Sequence, residues 1–140
     1  MIKEMETNLI ETIQRTDNVK SFRFENPDSI EYRPGQFFQL FLENNSEEID
    51  HYFSFSSSPT EEGYLEFTKK MSESDYSHTL NRLRPGDPVR MKLPMGQFIY
   101  EGDPSKAGFL SGGIGVTPIR SICKYLTDTG SPASVRVLYC

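Results

Sequence analysis

The chain has 140 residues and a formal charge of −5 at neutral pH; 36% of it is hydrophobic, 25% charged and 12% aromatic. That is a globular composition, long enough for one modest domain or for a domain and a smaller unit. Several function classes are excluded. The longest basic run is Lys69-Lys70, so the clustered cations that nucleic acid requires are missing from the sequence. No apolar stretch approaches the ~20 residues of a membrane span, and the polar start Met1-Ile2-Lys3-Glu4 is unlike a signal peptide. A cytoplasmic protein is therefore expected. Cys123 and Cys140 make no disulfide framework, and with two histidines there is no metal-ligand spacing. The carboxylates form no recognisable acid–base pair and no Gly-x-Ser-x-Gly occurs. Chemistry is expected to come from a bound cofactor.

In chain order, Met5, Leu9, Ile10 and Ile13 fit a helix face as well as a strand, and are read as strand. Residues 19–24 alternate and predict a half-buried strand. Asn26-Pro27-Asp28 is a turn, Pro34-Gly35 opens the apolar run 36–42, and the acidic stretch 43–50 reads as a turn. Strands are predicted at 52–56 and 64–69, a short helix at 77–83 stopped by Arg84-Pro85-Gly86-Asp87, and a further strand through Val89, Met91 and Leu93. This spacing predicts a small antiparallel barrel or sandwich. The texture changes after Gly102-Asp103-Pro104, which divides the chain into residues 1–104 and 105–140. Beyond it come a short buried strand at 107–110, a glycine-rich turn, a helix at 118–128 stopped by Gly130, and a strand at 135–139. That is one strand–helix–strand unit of a parallel sheet. Two parallel strands cannot bury both sheet faces, so this second unit is expected to be the start of a truncated α/β domain and to be loosely held.

Three segments carry candidate chemistry. Ser111-Gly112-Gly113-Ile114-Gly115-Val116-Thr117-Pro118 follows a strand and opens a helix. Glycines let backbone N–H groups approach a phosphate, Thr117 is a candidate cap, and a helix N-terminus favours an anion. The plainer reading is a glycine-rich turn without a ligand. His51-Tyr52-Phe53-Ser54-Phe55-Ser56-Ser57-Ser58-Pro59 alternates aromatic and hydroxyl residues, which suits a flat heterocycle and its polar edge. On its own residues it reads as readily as an amphipathic strand with a Ser-rich turn. Lys69-Lys70-Met71-Ser72-Glu73-Ser74-Asp75-Tyr76-Ser77 places hydroxyls and helix caps beside two lysines; it can hold a second phosphate, or simply be a capped surface helix.

The order and spacing of these segments resemble the ferredoxin–NADP reductase superfamily over nearly the whole chain. Pro34-Gly35-Gln36-Phe37 resembles its Pro-Gly-Gln-Phe/Tyr element. His51-Tyr52-Phe53-Ser54 falls on its Arg-x-Tyr/Phe-Ser flavin motif, and Ser74-Asp75-Tyr76-Ser77 on its Gly-x-x-Ser motif. Residues Gly112 to Pro118 are similar to its Gly-Gly-x-Gly-x-Thr-Pro loop, and Lys92 to Phe98 to its Gly-Pro-x-Gly-x-Phe strand end.

The resemblance implies a mainly β fold: a six-stranded antiparallel Greek-key FAD-binding barrel, then a truncated α/β Rossmann-like segment. The implied cofactor is FAD, with FMN as runner-up, and NADH or NADPH is the implied substrate. The implied activity is hydride transfer to flavin, then single-electron transfer to an iron–sulfur or haem redox protein. Phe53 and Ser54 would line the flavin ring, with Ser54 near its reactive N5 edge as the catalytic position and Tyr52 beside them. Thr68, Lys69 and Lys70 would follow the ribityl and adenosine side; His51, Ser74, Tyr76 and Ser77 would stand at the pyrophosphate. Gly112, Gly113, Gly115, Thr117 and Pro118 would face the nicotinamide nucleotide. His51 stands where the family has Arg, Ser74 replaces the motif glycine, and Leu93 replaces the glycine before Pro94. Two alternatives stay open: a docking or electron-transfer subunit with little activity alone, and a barrel that has lost its flavin.

Overall fold

The computed structural model describes residues 1–101 and 105–140; the boundary read at Gly102-Asp103-Pro104 lies outside the described residues. Six strands come first: β1 (Lys3–Gln14), β2 (Val19–Glu25), β3 (Phe37–Asn44), β4 (Glu47–Ser54), β5 (Tyr64–Lys70) and β6 (Pro88–Met95). They form one antiparallel sheet in the order β4-β3-β6-β1-β2-β5. The two edges of that order meet: the N–H groups of Ser56 and Ser57, just past β4, donate to the carbonyl of Glu66 in β5 at 2.8 and 3.4 Å. The sheet thus curls back on itself as the expected barrel. Its inside is aromatic, with Phe22, Phe24, Phe38, Phe55 and Phe67 fully buried and the Phe22 and Phe67 rings stacked at 5.1 Å. Burying large rings supplies most of the driving force of so small a core.

β1 crosses from β6, which pairs with Lys3 to Asn8, to β2, which pairs with Leu9 to Gln14. A register shift between Leu9 and Glu11 makes that turn of the barrel wall. It also leaves Ile10 exposed and explains the helix-like spacing of the apolar residues there.

The acidic stretch 43–50 is not a long turn. Asn45 and Ser46, at φ of 50° and 65°, form a two-residue hairpin, and β3 and β4 pair through Asn44 and Glu47. Paired positive φ values match the strand twist. The glutamates belong to strand ends whose side chains face water.

Two glycines set the junction beneath the barrel. Gly35 sits at φ 99°, and a Cβ there would lie 1.9 Å from the Phe98 carbonyl oxygen. Gly96, at φ 100°, would place a Cβ 2.7 Å from the Phe37 ring. Gln36 ties the same junction, donating from Nε2 to the Gly96 carbonyl at 3.2 Å.

α1 (Asp75–Arg82) begins two residues before its sequence reading and is capped by Ser74, whose Oγ accepts from the Ser77 N–H. The second unit comprises β7 (Lys106–Ser111), a 3-10 turn at Gly113–Val116, α2 (Thr117–Asp128) and β8 (Ser134–Tyr139). β7 and β8 are parallel, in register from Lys106↔Ser134 to Ser111↔Tyr139.

Candidate functional site

The ends of β4 and β5 and the glycine-rich turn before α2 border one space. The result is a cleft of about 330 Å³. One wall is Tyr52, Phe53 and Ser54; the floor is Thr68, Lys69 and Lys70; the other wall is Ile114, Gly115, Thr117 and Pro118. An apolar patch of Phe37, Tyr52, Phe53 and Ser54 continues from it. The pleat of β4 divides these side chains. Phe53 points inward and stacks on Phe67 at 4.1 Å, whereas Tyr52 stands 60% exposed at the cleft mouth. Ser54 and Thr68 bring half-buried hydroxyls to the polar edge. Burial pushes the Lys69 amine below its usual pKa, and its Nζ donates to the Lys70 carbonyl at 3.2 Å.

The His51 ring lies on Tyr76 of α1, 4.3 Å between centroids and 9° from parallel. Tyr76 is buried and donates its hydroxyl to the Leu40 carbonyl at 2.9 Å. Tyr76 therefore supports His51 from beneath and presents no hydroxyl to solvent. Ser77 is buried as well. Its Oγ accepts from the Ser72 N–H at 3.1 Å and lies 3.2 Å from Ser74 Oγ. The Ser77 hydroxyl organises the turn that starts α1, so a phosphate there would meet the turn's backbone, Ser74 and His51 before Ser77.

Thr117 does not cap α2. The 3-10 turn runs straight into the helix, Val116 takes the cap position, and the Thr117 N–H donates to the Ile114 carbonyl. A helix entered through a tight turn has fewer free N–H groups for an anion than a capped one. Gly112 and Gly113 lie higher on the loop, where an added Cβ would meet no atom within 4 Å.

Sequence reasoning missed the contacts that hold α2 to the barrel. The segment after β4 is the anchor. Arg120 donates to Glu61 twice and to the Ser56 carbonyl at 2.9 Å. Ser121, fully buried, donates to the Ser57 carbonyl at 2.7 Å. Thr60 donates to Asp128 at 2.5 Å. The expectation of a loosely held second unit is corrected on this side: its helix is bonded to the same loop that closes the barrel. Leu110 of β7 and Leu138 of β8 stand 83% and 66% exposed among the described residues.

Larger hollows exist, notably one of about 820 Å³ beside Tyr32, Tyr64 and Tyr125, but it gathers none of the candidate residues. The β4–β5 cleft suits a flat heteroaromatic ring with hydrogen-bonding edges. One aromatic wall, the hydroxyls of Ser54 and Thr68 among its polar groups, and a glycine loop opposite are the donor set and shape such a ring requires.

A curled six-stranded antiparallel sheet with a strand–helix–strand unit over the mouth of such a cleft defines the ferredoxin reductase-like class of oxidoreductases. The fold superposes on the ferredoxin–NADP+ reductase of Neisseria gonorrhoeae with bound FAD and NADP at a TM-score of 0.84 and 20% identity, over 98% of this chain and 57% of that one. It also superposes on the flavohem-like FAD/NAD-binding domain of nitric oxide dioxygenase from Vibrio cholerae, at 0.81 and 25% identity over 96% and 61%. Residues 6–100 match the oxidoreductase FAD-binding domain family, and the chain belongs to that family. The glycine betaine monooxygenase reductase subunit of Chromohalobacter salexigens is 30% identical over 135 residues. The reductase component of propane 2-monooxygenase from Rhodococcus jostii is 27% identical over 143. The chain spans 37% and 38% of those two relatives' lengths. Among the described residues no helix is long and apolar enough to cross a membrane.

Proposed function

We propose that this chain seats FAD in the β4–β5 cleft and serves as the flavin half of a reductase that takes electrons from NADH or NADPH. The acceptor is a one-electron redox protein, iron–sulfur or haem, of the kind a reductase component of an oxygenase feeds. The observation that carries the reading is the convergence of Tyr52, Phe53, Ser54, Thr68, Lys69 and the Gly115–Pro118 turn on one cleft. These residues come from two distant strands and a third segment, in a chain of the FAD-binding family.

The bound flavin supplies the exchange between a two-electron donor and a one-electron acceptor; the chain positions it. Phe53 is braced by Phe67 behind it and offers a fixed apolar surface. Ser54 holds a hydroxyl at the ring's edge, where it can donate or accept one hydrogen bond. Lys69 and Lys70 favour the phosphate-bearing side, with His51 on Tyr76 beside the start of α1. Ile114 and Gly115 form the wall past which a nicotinamide would approach. Residues 1–104 are the flavin unit and 105–140 the start of the nicotinamide unit on this reading. The free thiols of Cys123 and Cys140 accord with a cytoplasmic, reducing compartment.

The test is a titration of the apoprotein with FAD. Saturable one-to-one quenching of flavin fluorescence and a rise in melting temperature are expected, with weaker binding in Ser54→Ala. Absence of any binding would refute the reading.

A further inference from the structure

A hydrogen-bonded circuit runs behind the cleft floor. Glu66 in β5 is 3% exposed and is placed opposite Arg23 by the β2–β5 register. Its Oε2 accepts from Arg23 Nε at 2.8 Å and from Arg15 Nη2 at 3.3 Å. Its Oε1 accepts from Ser56 Oγ at 2.8 Å. Thr68 Oγ1 donates to Ser56 Oγ at 2.9 Å and lies 2.7 Å from Ser21 Oγ. Arg15 Nε donates to Ser21 Oγ at 2.9 Å, which closes the loop.

A hydroxyl has one proton, and that fixes every direction. Ser56 can give its proton only to the carboxylate or to Thr68, and the charge at Glu66 wins because hydrogen bonds to an ionised acceptor are the stronger ones. Thr68 then gives its proton to Ser56, so Ser21 gives its own to Thr68. Protons run one way from the Arg15 guanidinium to the Glu66 carboxylate. Thr68 lines the cleft with its proton spent and a lone pair left. Toward a ligand it can act only as an acceptor.

We propose that Glu66 is a positioning residue of the cleft: through Ser56 it holds Thr68 as an obligate acceptor for a hydroxyl or ring N–H of the bound flavin. This rests on the flavin cleft proposed above. Glu66→Gln places an amide N–H₂ where Ser56 can accept from it, the circuit reverses, and Thr68 becomes a competing donor. Ser56→Ala breaks the same link while leaving Glu66 with both arginines, and serves if Glu66→Gln folds poorly.

The experiment measures FAD dissociation constants for the chain and for Thr68→Val, Glu66→Gln, Ser56→Ala and the doubles with Thr68→Val. Each single change is expected to weaken binding roughly three- to tenfold, the worth of one neutral hydrogen bond. Each double should be no weaker than its singles, because both members act through one bond. A Glu66 whose role is only structural would cost the same with Val at 68 as with Thr, and such additivity overturns the proposal. Lumiflavin separates the two donors: a Thr68→Val effect that persists with it marks a ring N–H, and one that vanishes marks a ribityl hydroxyl. FAD binding that Ser54→Ala weakens and Thr68→Val leaves unchanged overturns the positioning role alone. No FAD binding at all overturns the cleft reading with it.

Discussion

Arg120→Ala should release α2 from the barrel without unfolding the barrel. The wild-type guanidinium makes a forked contact with Glu61, whose side chain is 14% exposed against 44% for Arg120, and a further bond to the Ser56 carbonyl. Hydrogen bonds to charged groups contribute ~1.5–3 kcal/mol when dry, and exposed ion pairs ~0–1. Half-exposure of Arg120 puts the loss at about 2 kcal/mol, with the Ser121 and Thr60 bonds to the same loop remaining. Amide exchange reads this directly. The α2 amides that exchange by local opening should lose protection roughly thirtyfold, since ~1.4 kcal/mol is tenfold. Amides of β1 to β6 should not change. Lys124→Ala is the control, because its Asp128 partner lies one turn along the same helix and such a pair contributes only ~0.3–0.5 kcal/mol. Unchanged α2 protection in Arg120→Ala, or an equal fall across the barrel, would refute the claim that this contact is what holds the second unit down.

Three further outcomes are expected. Burial alone would raise the Glu61 carboxyl, but hydrogen bonds from Arg120 and the Ser58 N–H outweigh it and hold it below the usual carboxylate range. Its folded pKa being depressed, the contribution is complete above the ordinary carboxylate pKa and is lost as pH falls below it; acid titration of the α2 amides by NMR should show clear loosening in the wild type and less in Glu61→Gln, where Asp128, lowered by Lys124 and Thr60, is the acid-sensitive carboxylate left on α2. Gly35→Ala puts a Cβ 1.9 Å from the Phe98 carbonyl oxygen at φ 99°, and should cost about 3 kcal/mol in urea unfolding; a variant with the wild-type midpoint would show that the junction gives way cheaply. His51→Arg should tighten FAD at least severalfold, because a guanidinium can stack on Tyr76 and still fork to a phosphate; an equal or weaker affinity in the titration contradicts a phosphate at this position.

Much of this architecture is legible in residues that act locally. The alternation of 19–24 and 64–69 marks β2 and β5, and Ser74 before Asp75 is a cap wherever the chain goes next. What resists reading depends on register. Leu9 and Ile13 mimic a helix face because a bulge at residue 10 breaks the twofold period of β1. The glutamates 43, 47 and 48 look like a turn because nothing local says that Asn45 and Ser46 reverse the chain in two residues. Glu66 sits in an alternating strand where a charged side chain ordinarily faces water; only pairing it with Arg23 and closing Ser56 over it turns that face inward. Arg120 and Ser121 look like the polar side of an amphipathic helix, and their partners lie 59 and 64 residues away. The cleft motifs were visible because they are contiguous, whereas the network supporting them is assembled from four separate segments.

The most direct test of the central claim is hydrogen exchange of the chain with and without saturating FAD, resolved by residue. Slower exchange is predicted at 52–54, 68–70 and 114–117, with little change around Tyr32, Tyr64 and Tyr125. Protection confined to that tyrosine-lined hollow, or a bound flavin that leaves residues 52–54 and 68–70 as they were, would contradict the β4–β5 cleft as the flavin site.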